Sequence, residues 1–255
     1  FYNTTGCGNN FLGNRAGFSN TTGCYNNFIG NRAGYCNTTG GCNNFIGIRA
    51  GKCNTTGIQN NFFGYYAGFS NTTGGCNNFI GCSAGSNNTS GGKNNFFGMG
   101  AGLANTTGFC NNMIGLGAGQ NATVTGQHNT FLGTYAGKCA SGSGSLNFFV
   151  GFSAGFFNTT GNNNNFFGSN AGRNNTTGFL NTFIGAEVGF ANTTGSCNVF
   201  IGGEQTGRCN TSGKGNNFLG NNAGRYFTTG CYNQFFGESA GRGLNSSVST
   251  GYYNN

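Results

Sequence analysis

The sequence predicts an all-β fold, a single parallel β-solenoid of about fourteen coils with 17 or 18 residues in each coil. One unit repeats fourteen times from Phe1 to Gly241, and its third copy, Tyr35 to Gly51, reads YCNTTGGCNNFIGIRAG. Glycine takes three fixed positions in every copy, and Asn and Phe take two others. A short period without helix-forming residues indicates one coil per copy, stacked on its neighbours.

The glycines predict where each coil turns. We number the repeat from 1 to 17 starting at Phe1, so that Gly6, Gly13 and Gly17 give the three glycine positions of the first copy. These positions account for 42 of the 53 glycines, which makes chance placement untenable. Glycine adopts positive φ angles that other residues resist. We therefore predict three corners in each coil, with short strands between them.

Positions 9, 11 and 16 predict the core. Position 9 is Asn in every copy, and position 11 is Phe in all copies but one, where Met113 replaces it. Stacked Asn side chains form hydrogen bonds along a parallel ladder, and Phe rings stack at the strand spacing of about 4.8 Å. Burial of each ring contributes roughly 2–3 kcal/mol. Position 16 is mostly Ala, which leaves room for the ring.

Position 12 is apolar in every copy, and its place in the fold is open. Neighbouring strand residues point to opposite faces, so with Phe inside, position 12 forms an apolar stripe on the outside that is typical of an interface. Alternatively, the strand bends at position 13 and both side chains enter one wide core. The first five residues of this apolar stripe are Leu12, Ile29, Ile46, Phe63 and Ile80.

The repeat predicts one domain, a solenoid over residues 1–255, with coils over 1–241 and an incomplete coil over 242–255. Residues 120–155 are irregular, because two coils there are longer and their corners differ. The Asn, Phe and Gly positions survive in this stretch, which indicates local corner bulges. The chain lacks a run of about 18 apolar residues, so we expect no membrane insertion.

Asn-x-Ser/Thr sequons recur in register at position 3. Asn, Thr and Gly are also turn residues, so a repeated turn produces sequons without any modification. The alternative is N-glycosylation, which would coat one face and supply solubility to a chain with 5% charged residues. We expect N-glycans as the covalent groups, with no cofactor, at Asn3, Asn20, Asn37, Asn54, Asn71, Asn88, Asn105, Asn121, Asn158, Asn175, Asn192, Asn210 and Asn245.

The twelve cysteines indicate an oxidising, extracellular compartment and disulfides. Most of them flank the Asn-Thr-Thr-Gly corner, at position 2 or at positions 7 and 8. The predicted disulfides staple adjacent coils across this corner and join Cys24 to Cys36, Cys42 to Cys53, and Cys197 to Cys209. In-register stacking is the alternative pattern, with Cys7 over Cys24 and Cys36 over Cys53.

The titratable residues give no catalytic or metal-binding pattern. The chain has one His and three acidic residues, all Glu, so a pair of catalytic carboxylates has almost no candidates. Four metal ligands at close spacing are also missing. The sequence therefore predicts no enzyme and no metal site. The net charge of +8 comes from only 11 basic residues, and nucleic-acid binders usually cluster many more, so we expect no nucleic-acid partner.

Charge placement favours end-to-end association. Position 15 is basic near the start of the chain and acidic near its end, with one acidic residue a place earlier. These residues are Arg15, Arg32 and Arg49, then Glu187, Glu204 and Glu238. Stacked head to tail, the acidic end of one copy approaches the basic end of the next, which makes a filament. Chance placement of six charges is the alternative explanation.

The segment Asn26 to Gly34, NNFIGNRAG, and its copies resemble the head repeats of trimeric autotransporter adhesins. Arrays of Phe-x-Gly-x-x-Ala-Gly are also similar to those of bacterial and phage fibre proteins. The resemblance covers nearly the whole chain. It implies a β-roll coil and a fibre or adhesive role, and it brings no catalytic residues.

These patterns predict a structural subunit of an extracellular, N-glycosylated fibre that assembles with itself, head to tail or laterally. Its expected location is secreted or on the cell surface. One alternative is an adhesin or phage-type fibre binding module, which requires a binding surface outside the repeat. The other is an ice-binding solenoid that uses the Thr ladders at positions 4 and 5.

Overall fold

The computed structural model describes residues 3–121, 125–140 and 142–243. They form an all-β parallel solenoid, which confirms the predicted fold class, and no helix in this part of the chain could cross a membrane. One three-residue strand comes from each repeat: β1 Asn10–Leu12, β2 Asn27–Ile29, β3 Asn44–Ile46, β4 Asn61–Phe63, β5 Asn78–Ile80, β6 Asn95–Phe97, β7 Asn112–Ile114, β8 Thr130–Leu132, β9 Phe148–Val150, β10 Asn165–Phe167, β11 Thr182–Ile184, β12 Val199–Ile201, β13 Asn217–Leu219 and β14 Gln234–Phe236.

The chain divides into two compact units. Unit 1 comprises Phe1–His128 and contains β1 to β7, and unit 2 comprises Asn129–Asn255 and contains β8 to β14. The division falls inside the irregular stretch 120–155. Each unit is built from the same coil. The expectation of one continuous solenoid over 1–255 stays a prediction.

Within each unit, every strand pairs in parallel with the next one along the chain, and equal repeat positions face each other. In unit 1, Phe28 lies opposite Phe11 and Phe45, and in unit 2 Phe166 lies opposite Phe149. The backbone N–H of Asn27 donates to the carbonyl of Asn43 across 2.8 Å. A slip by one residue would move every Phe to the outer face, so the Phe pattern fixes the register.

The Phe side chains at position 11 form the core. The rings of Phe45, Phe62 and Phe79 stack with centroids 4.8 Å apart and planes within 7° of parallel. Phe79 is 0% exposed, whereas its neighbour Ile80 is 41% exposed. Position 12 therefore points outward, and the alternative of one wide core is excluded. The buried Ala side chains at position 16 line the same core.

The predicted asparagine ladder at position 9 is confirmed, and it links the coils through their backbones. The side-chain oxygen of Asn26 accepts the backbone N–H of Asn43 at 3.0 Å. The Asn43 amide then donates to the Gly57 carbonyl at 2.8 Å, at the position-6 corner of the next coil. Each buried amide is thus satisfied by the coils on both sides, which holds adjacent corners together.

The glycine corners differ from the prediction in one respect. Gly13 (φ 137°) and Gly17 (φ 59°) have positive φ, as expected. The glycine at position 6 does not have a positive φ. Gly23 is an example: a Cβ there would lie 2.3 Å from the Gly40 carbonyl oxygen, so a side chain does not fit. Positive φ instead occurs at positions 8 and 15, which mostly hold other residues, for example Tyr25 (59°) and Arg32 (55°). Hydrogen bonds between coils impose this conformation, because the N–H of each of these residues donates to the preceding coil.

Candidate functional site

The sequon asparagines at position 3 form a second buried ladder. The Asn37 amide nitrogen donates to the side-chain oxygen of Asn20 at 2.7 Å and to the carbonyl of Gly40 at 2.9 Å. Asn54 repeats the pattern, with its amide on the Asn37 oxygen at 2.7 Å. Both amide hydrogens are engaged inside the corner, and the side chains are 0% exposed.

This geometry gives the sequon asparagines a structural role in the folded coil. An N-glycan replaces one amide hydrogen and needs a path to solvent, whereas here that hydrogen holds two coils together. The ten buried acceptors are Asn20, Asn37, Asn54, Asn71, Asn88, Asn105, Asn158, Asn175, Asn192 and Asn210. Glycosylation of these residues stays a prediction.

The three other predicted glycosylation residues lie elsewhere. Asn3 is exposed at the first corner, where its amide donates to the Gly6 carbonyl at 3.0 Å. Asn121 is exposed, and the Thr123 of its sequon lies outside the described residues. Asn245 also lies outside them. Glycosylation at these three positions stays a prediction.

The buried ladder ends at Phe227, which replaces Asn at position 3 of the fourteenth repeat. Its ring is buried and contacts Phe218 and Phe235 edge-on, with centroid distances of 5.8 and 5.4 Å. The side-chain oxygen of Asn210, one coil earlier, consequently has no hydrogen-bond partner. In this repeat, the apolar contacts of Phe227 thus replace the hydrogen bond that an Asn amide makes in the other coils of the ladder.

The cysteines are free in the structure, and two neighbouring pairs stack in register. All twelve are free, including Cys24, Cys36, Cys42, Cys53, Cys197 and Cys209. The Cys7 sulfur lies 2.8 Å from that of Cys24, one coil away at the same position. Cys36 N–H donates to the carbonyl of Lys52, the residue before Cys53. These two pairs favour the in-register alternative over links across the corner, whereas each cysteine at position 8 faces another residue type in both adjacent coils.

The stacked thiols influence each other's acidity. The hydrogen bond from the Cys7 thiol lowers the pKa of Cys24, and the same contact raises the pKa of Cys7. Burial raises the pKa of Cys53, and the neighbouring Cys36 raises it further. Because the thiolate is the reactive form, we expect Cys24 to be more reactive than Cys7 and Cys53 at neutral pH.

Alkylation should separate these cysteines by pH. We expect iodoacetamide to modify Cys24 with a midpoint at lower pH than Cys53, because the Cys7 hydrogen bond stabilises the Cys24 thiolate. Peptide mapping by mass spectrometry across a pH series measures both midpoints. Cys7→Ala should raise the Cys24 midpoint, and Cys7→Ser, which retains a donor, should keep it low. Equal midpoints for Cys24 and Cys53 would contradict the assignment.

The apolar stripe lies on the outer face of the sheet. Leu12, Ile29, Ile46, Phe63 and Ile80 are all half-exposed or exposed, as are the later residues at position 12. In unit 1 the exposed position-14 side chains Ile48, Tyr65, Met99 and Leu116 lie beyond the corner from this stripe and widen the apolar surface. The outward orientation is established, while the use of the stripe as an interface stays a prediction.

The Thr ladders offer one exposed rank of hydroxyl groups. At position 4 the hydroxyl of Thr38 donates to the Thr55 carbonyl of the next coil at 3.1 Å. At position 5, Thr39 and Thr56 are exposed. Ice binding would be favoured by a flat face with two exposed rows of Thr hydroxyl groups. These coils have one such row, at position 5.

Sequence reasoning missed a line of basic and aromatic side chains at position 1 of unit 2. We call it the basic ladder, and its residues are Lys138, Phe156, Arg173, Phe190, Arg208, Arg225 and Arg242. It contains five of the six Lys and Arg residues of unit 2, so the charge lies on one line. The sequence contains the signal for this ladder. When the repeats are aligned, position 1 alternates between a cation and Phe from Lys138 to Arg208 and is then Arg in the next two repeats.

β1 and β14 are the first and last strands of the described residues. Core Phe rings are 0% exposed at Phe28 but partly exposed at Phe11 in β1 and at Phe235 in β14. Their outer neighbours Leu12 and Phe236 are 63% and 62% exposed. Each of these two strands pairs with one neighbouring strand within the described residues.

The described residues bring together no group of three or more His, Cys, Asp or Glu side chains that could hold a metal ion. The expectation that the protein is not an enzyme stays a prediction. A scan against protein-family models and searches of curated proteins and of solved structures found no match to this chain.

Proposed function

We propose that this protein is a structural subunit of an extracellular fibre, in which copies add end to end through their terminal coils. The observation that carries the proposal is the in-register repeat, in which each coil presents the same strand groups to the next one. The first coil of one copy therefore fits the last coil of another, as a strand adds to a parallel sheet. Because this contact joins different surfaces of two identical copies, it is heterologous and generates a filament.

The repeat pattern specifies the junction. In each coil, the N–H at position 15 donates to the carbonyl at position 14 of the preceding coil, as from Arg32 to Asn14 at 2.9 Å. When one copy follows another, Arg15 N–H meets the carbonyl of Glu238. Their side chains then bring opposite charges together, and Phe11 of one copy stacks on Phe235 of the other. The contact is one further rung of the solenoid.

The fibre's mechanical role rests on the ladders. Adjacent coils are held together by backbone hydrogen bonds, by the Asn amides at position 9 and by the core side chains at position 11, and the coils with Asn at position 3 add a second row of amides. These contacts lie along the stacking direction and recur from coil to coil, so a load is distributed over many similar contacts. The extracellular location is proposed from the cysteine content, since stacked thiols one coil apart form disulfides under oxidising conditions.

A charge-swap experiment tests the junction. Arg15→Glu places two carboxylates at the contact, so we expect filament elongation to require about three- to tenfold more protein. Glu238→Arg alone places two cations at the contact and should raise the protein concentration needed for elongation in the same way. The double variant restores an opposite-charge pair, so it should elongate at the concentration that the unmodified protein needs. Negative-stain electron microscopy and sedimentation across a concentration series measure the effect.

Lys93→Glu is the matched control, because it reverses one charge on an exposed side chain away from both terminal coils. We expect this variant to elongate like the unmodified protein. The end-to-end proposal would be abandoned if the unmodified chain stays monomeric at every concentration. It would also be abandoned if the double variant elongates no better than either single variant.

A further inference from the structure

The basic ladder of unit 2 holds its cations in an ordered row. Arg173 lies over Phe156 at 5.0 Å and over Phe190 at 5.8 Å, measured from the guanidinium carbon to the ring centroid. The guanidinium carbon of Arg208 lies 5.1 Å from the centroid of the same Phe190 ring. Each guanidinium is thus stacked on rings from the coils beside it, which limits its rotation.

The row continues at both ends. The Lys138 ammonium nitrogen is 4.2 Å from the centroid of Tyr135, and Arg225 and Arg242 contact the Tyr226 ring at 4.8 and 5.9 Å. The backbone N–H at position 1 donates to the carbonyl at position 15 of the same turn, which fixes the side chains in register. All of these side chains are partly exposed to solvent. The neighbouring rings contact the cations, which keep part of their surface exposed to solvent.

Most of this charge has no acidic partner. The chain has three Glu residues, and among the described residues the ion pair is Arg208 with Glu187, at 2.9 Å. The side chains of Lys138, Arg173, Arg225 and Arg242 form no ion pair in the described part of the chain. Like charges in a row repel each other, so an anion bound along the row would relieve this repulsion.

We propose that the basic ladder binds a linear acidic polysaccharide whose carboxylate or sulfate groups lie along the guanidinium row. Lys138, Arg173 and Arg208 lie on alternate coils, about 10 Å apart, and the cations from Arg208 to Arg242 lie on successive coils, about 5 Å apart. An extended sugar chain carries its acid groups at a fixed repeat along one line, so successive groups meet successive cations. Each guanidinium edge binds an oxyanion with two parallel hydrogen bonds, and the linked contacts act together.

The ring geometry favours a polysaccharide over single-stranded nucleic acid. Nucleic-acid grooves use free aromatic faces on which bases stack. Here the faces of Phe156 and Phe190 are covered by Arg173 and Arg208. What remains for a ligand is a line of fixed positive edges. This surface recognises charge spacing along a polymer. The Phe157 ring beside Arg173 stays 39% exposed, and the comparison with oligo-dT tests whether bases stack on it.

Binding to defined polymers tests the proposal. Labelled polygalacturonate presents carboxylates, dextran sulfate presents sulfates, neutral dextran presents neither, and oligo-dT presents phosphates with bases. We expect the full chain to bind one or both acidic polysaccharides at least about tenfold more tightly than neutral dextran or oligo-dT. Fluorescence anisotropy at two salt concentrations provides the measurement, and higher salt should weaken binding.

Variants locate the site. The combined variant Arg173→Gln, Arg208→Gln and Arg225→Gln should weaken binding at least about tenfold. Lys214→Gln is the matched control: it removes an exposed charge of the same unit outside the ladder, and binding should change less than about twofold. Glu187→Gln frees Arg208 and should strengthen binding about two- to fivefold. Thermal unfolding of each variant verifies that it is folded.

Three outcomes would overturn the proposal. Equal binding of neutral dextran would mean that charge is not recognised. Equal binding by the triple variant and the Lys214→Gln control would place the site elsewhere. Tighter binding of oligo-dT than of either acidic polysaccharide would assign the ladder to nucleic acid. If the triple variant fails to fold, the Glu187→Gln variant provides the test. Weaker or unchanged polysaccharide binding by Glu187→Gln would contradict binding along the Arg row.

Discussion

Phe62→Ala should lower the free energy of unfolding by about 3–5 kcal/mol. The Phe62 ring is fully buried between those of Phe45 and Phe79, at 4.8 Å from each. Its removal leaves a cavity that the stacked backbones cannot close, because hydrogen bonds on both sides fix the coil spacing. It also breaks two ring contacts at once. Urea denaturation followed by circular dichroism measures the loss.

Phe63→Ala is the control in the same strand. This side chain has the same chemistry but lies on the outer face, where it is half-exposed, so we expect a loss of less than about 1.5 kcal/mol. The pair tests the assignment of inside and outside. Equal losses for the two variants would contradict the outward orientation of position 12.

Asn71→Asp should destabilise the protein by about 3–5 kcal/mol. The Asn71 amide donates to the Asn54 side-chain oxygen at 2.8 Å and to the Gly74 carbonyl at 3.0 Å. A carboxylate has no donor for either oxygen and places a buried negative charge beside them. Hydrogen exchange of the neighbouring corners and urea denaturation together report how far the disruption spreads.

Asn78→Asp provides the comparison on the outer face. Asn78 also belongs to an asparagine ladder, since its amide donates to the Asn95 oxygen at 2.7 Å, but it is partly exposed. Water can solvate the new carboxylate there, and we expect a loss of less than about 1.5 kcal/mol. A large loss at Asn78 with a small one at Asn71 would show that the sequon ladder is not the buried one.

The asparagine of the sequon has a structural explanation that the sequon motif itself does not reveal. In this corner, Asn37 satisfies its own turn through the Gly40 carbonyl and the preceding coil through Asn20. The following Thr38 donates its hydroxyl to the next coil. Stacking thus explains Asn37 and Thr38, the first and middle residues of the sequon. The hydroxyl residue that completes the sequon, Thr39, is exposed, so the contacts of this corner do not explain its identity.

The core was predictable because its pattern is periodic. A Phe and an Asn at constant positions, with Gly at three others, leave one way to stack coils in register, and the structure has Phe28 over Phe45 as expected. The direction of position 12 was open from the sequence, because strand alternation favours the outside and a bend at position 13 allows a wide core. The exposure of Ile80 beside the buried Phe79 decided it. The cysteine pairing was not predictable in this way, because Cys24 has neighbours at its own position and across the corner, and spacing along the chain does not distinguish them.

The sequence by itself determined the period, the register and the core, since each follows from residues repeated at fixed places in every copy. The tertiary structure decided which of two chemically equal groups is buried. It placed the amide of Asn37 inside the corner and left that of Asn44 at the surface, although both residues are Asn in the same coil. The structure also collected Arg173, Phe190 and Arg208 into one ladder. The physical reason is that burial and neighbours depend on how the coils stack, and a linear pattern gives only their order along the chain.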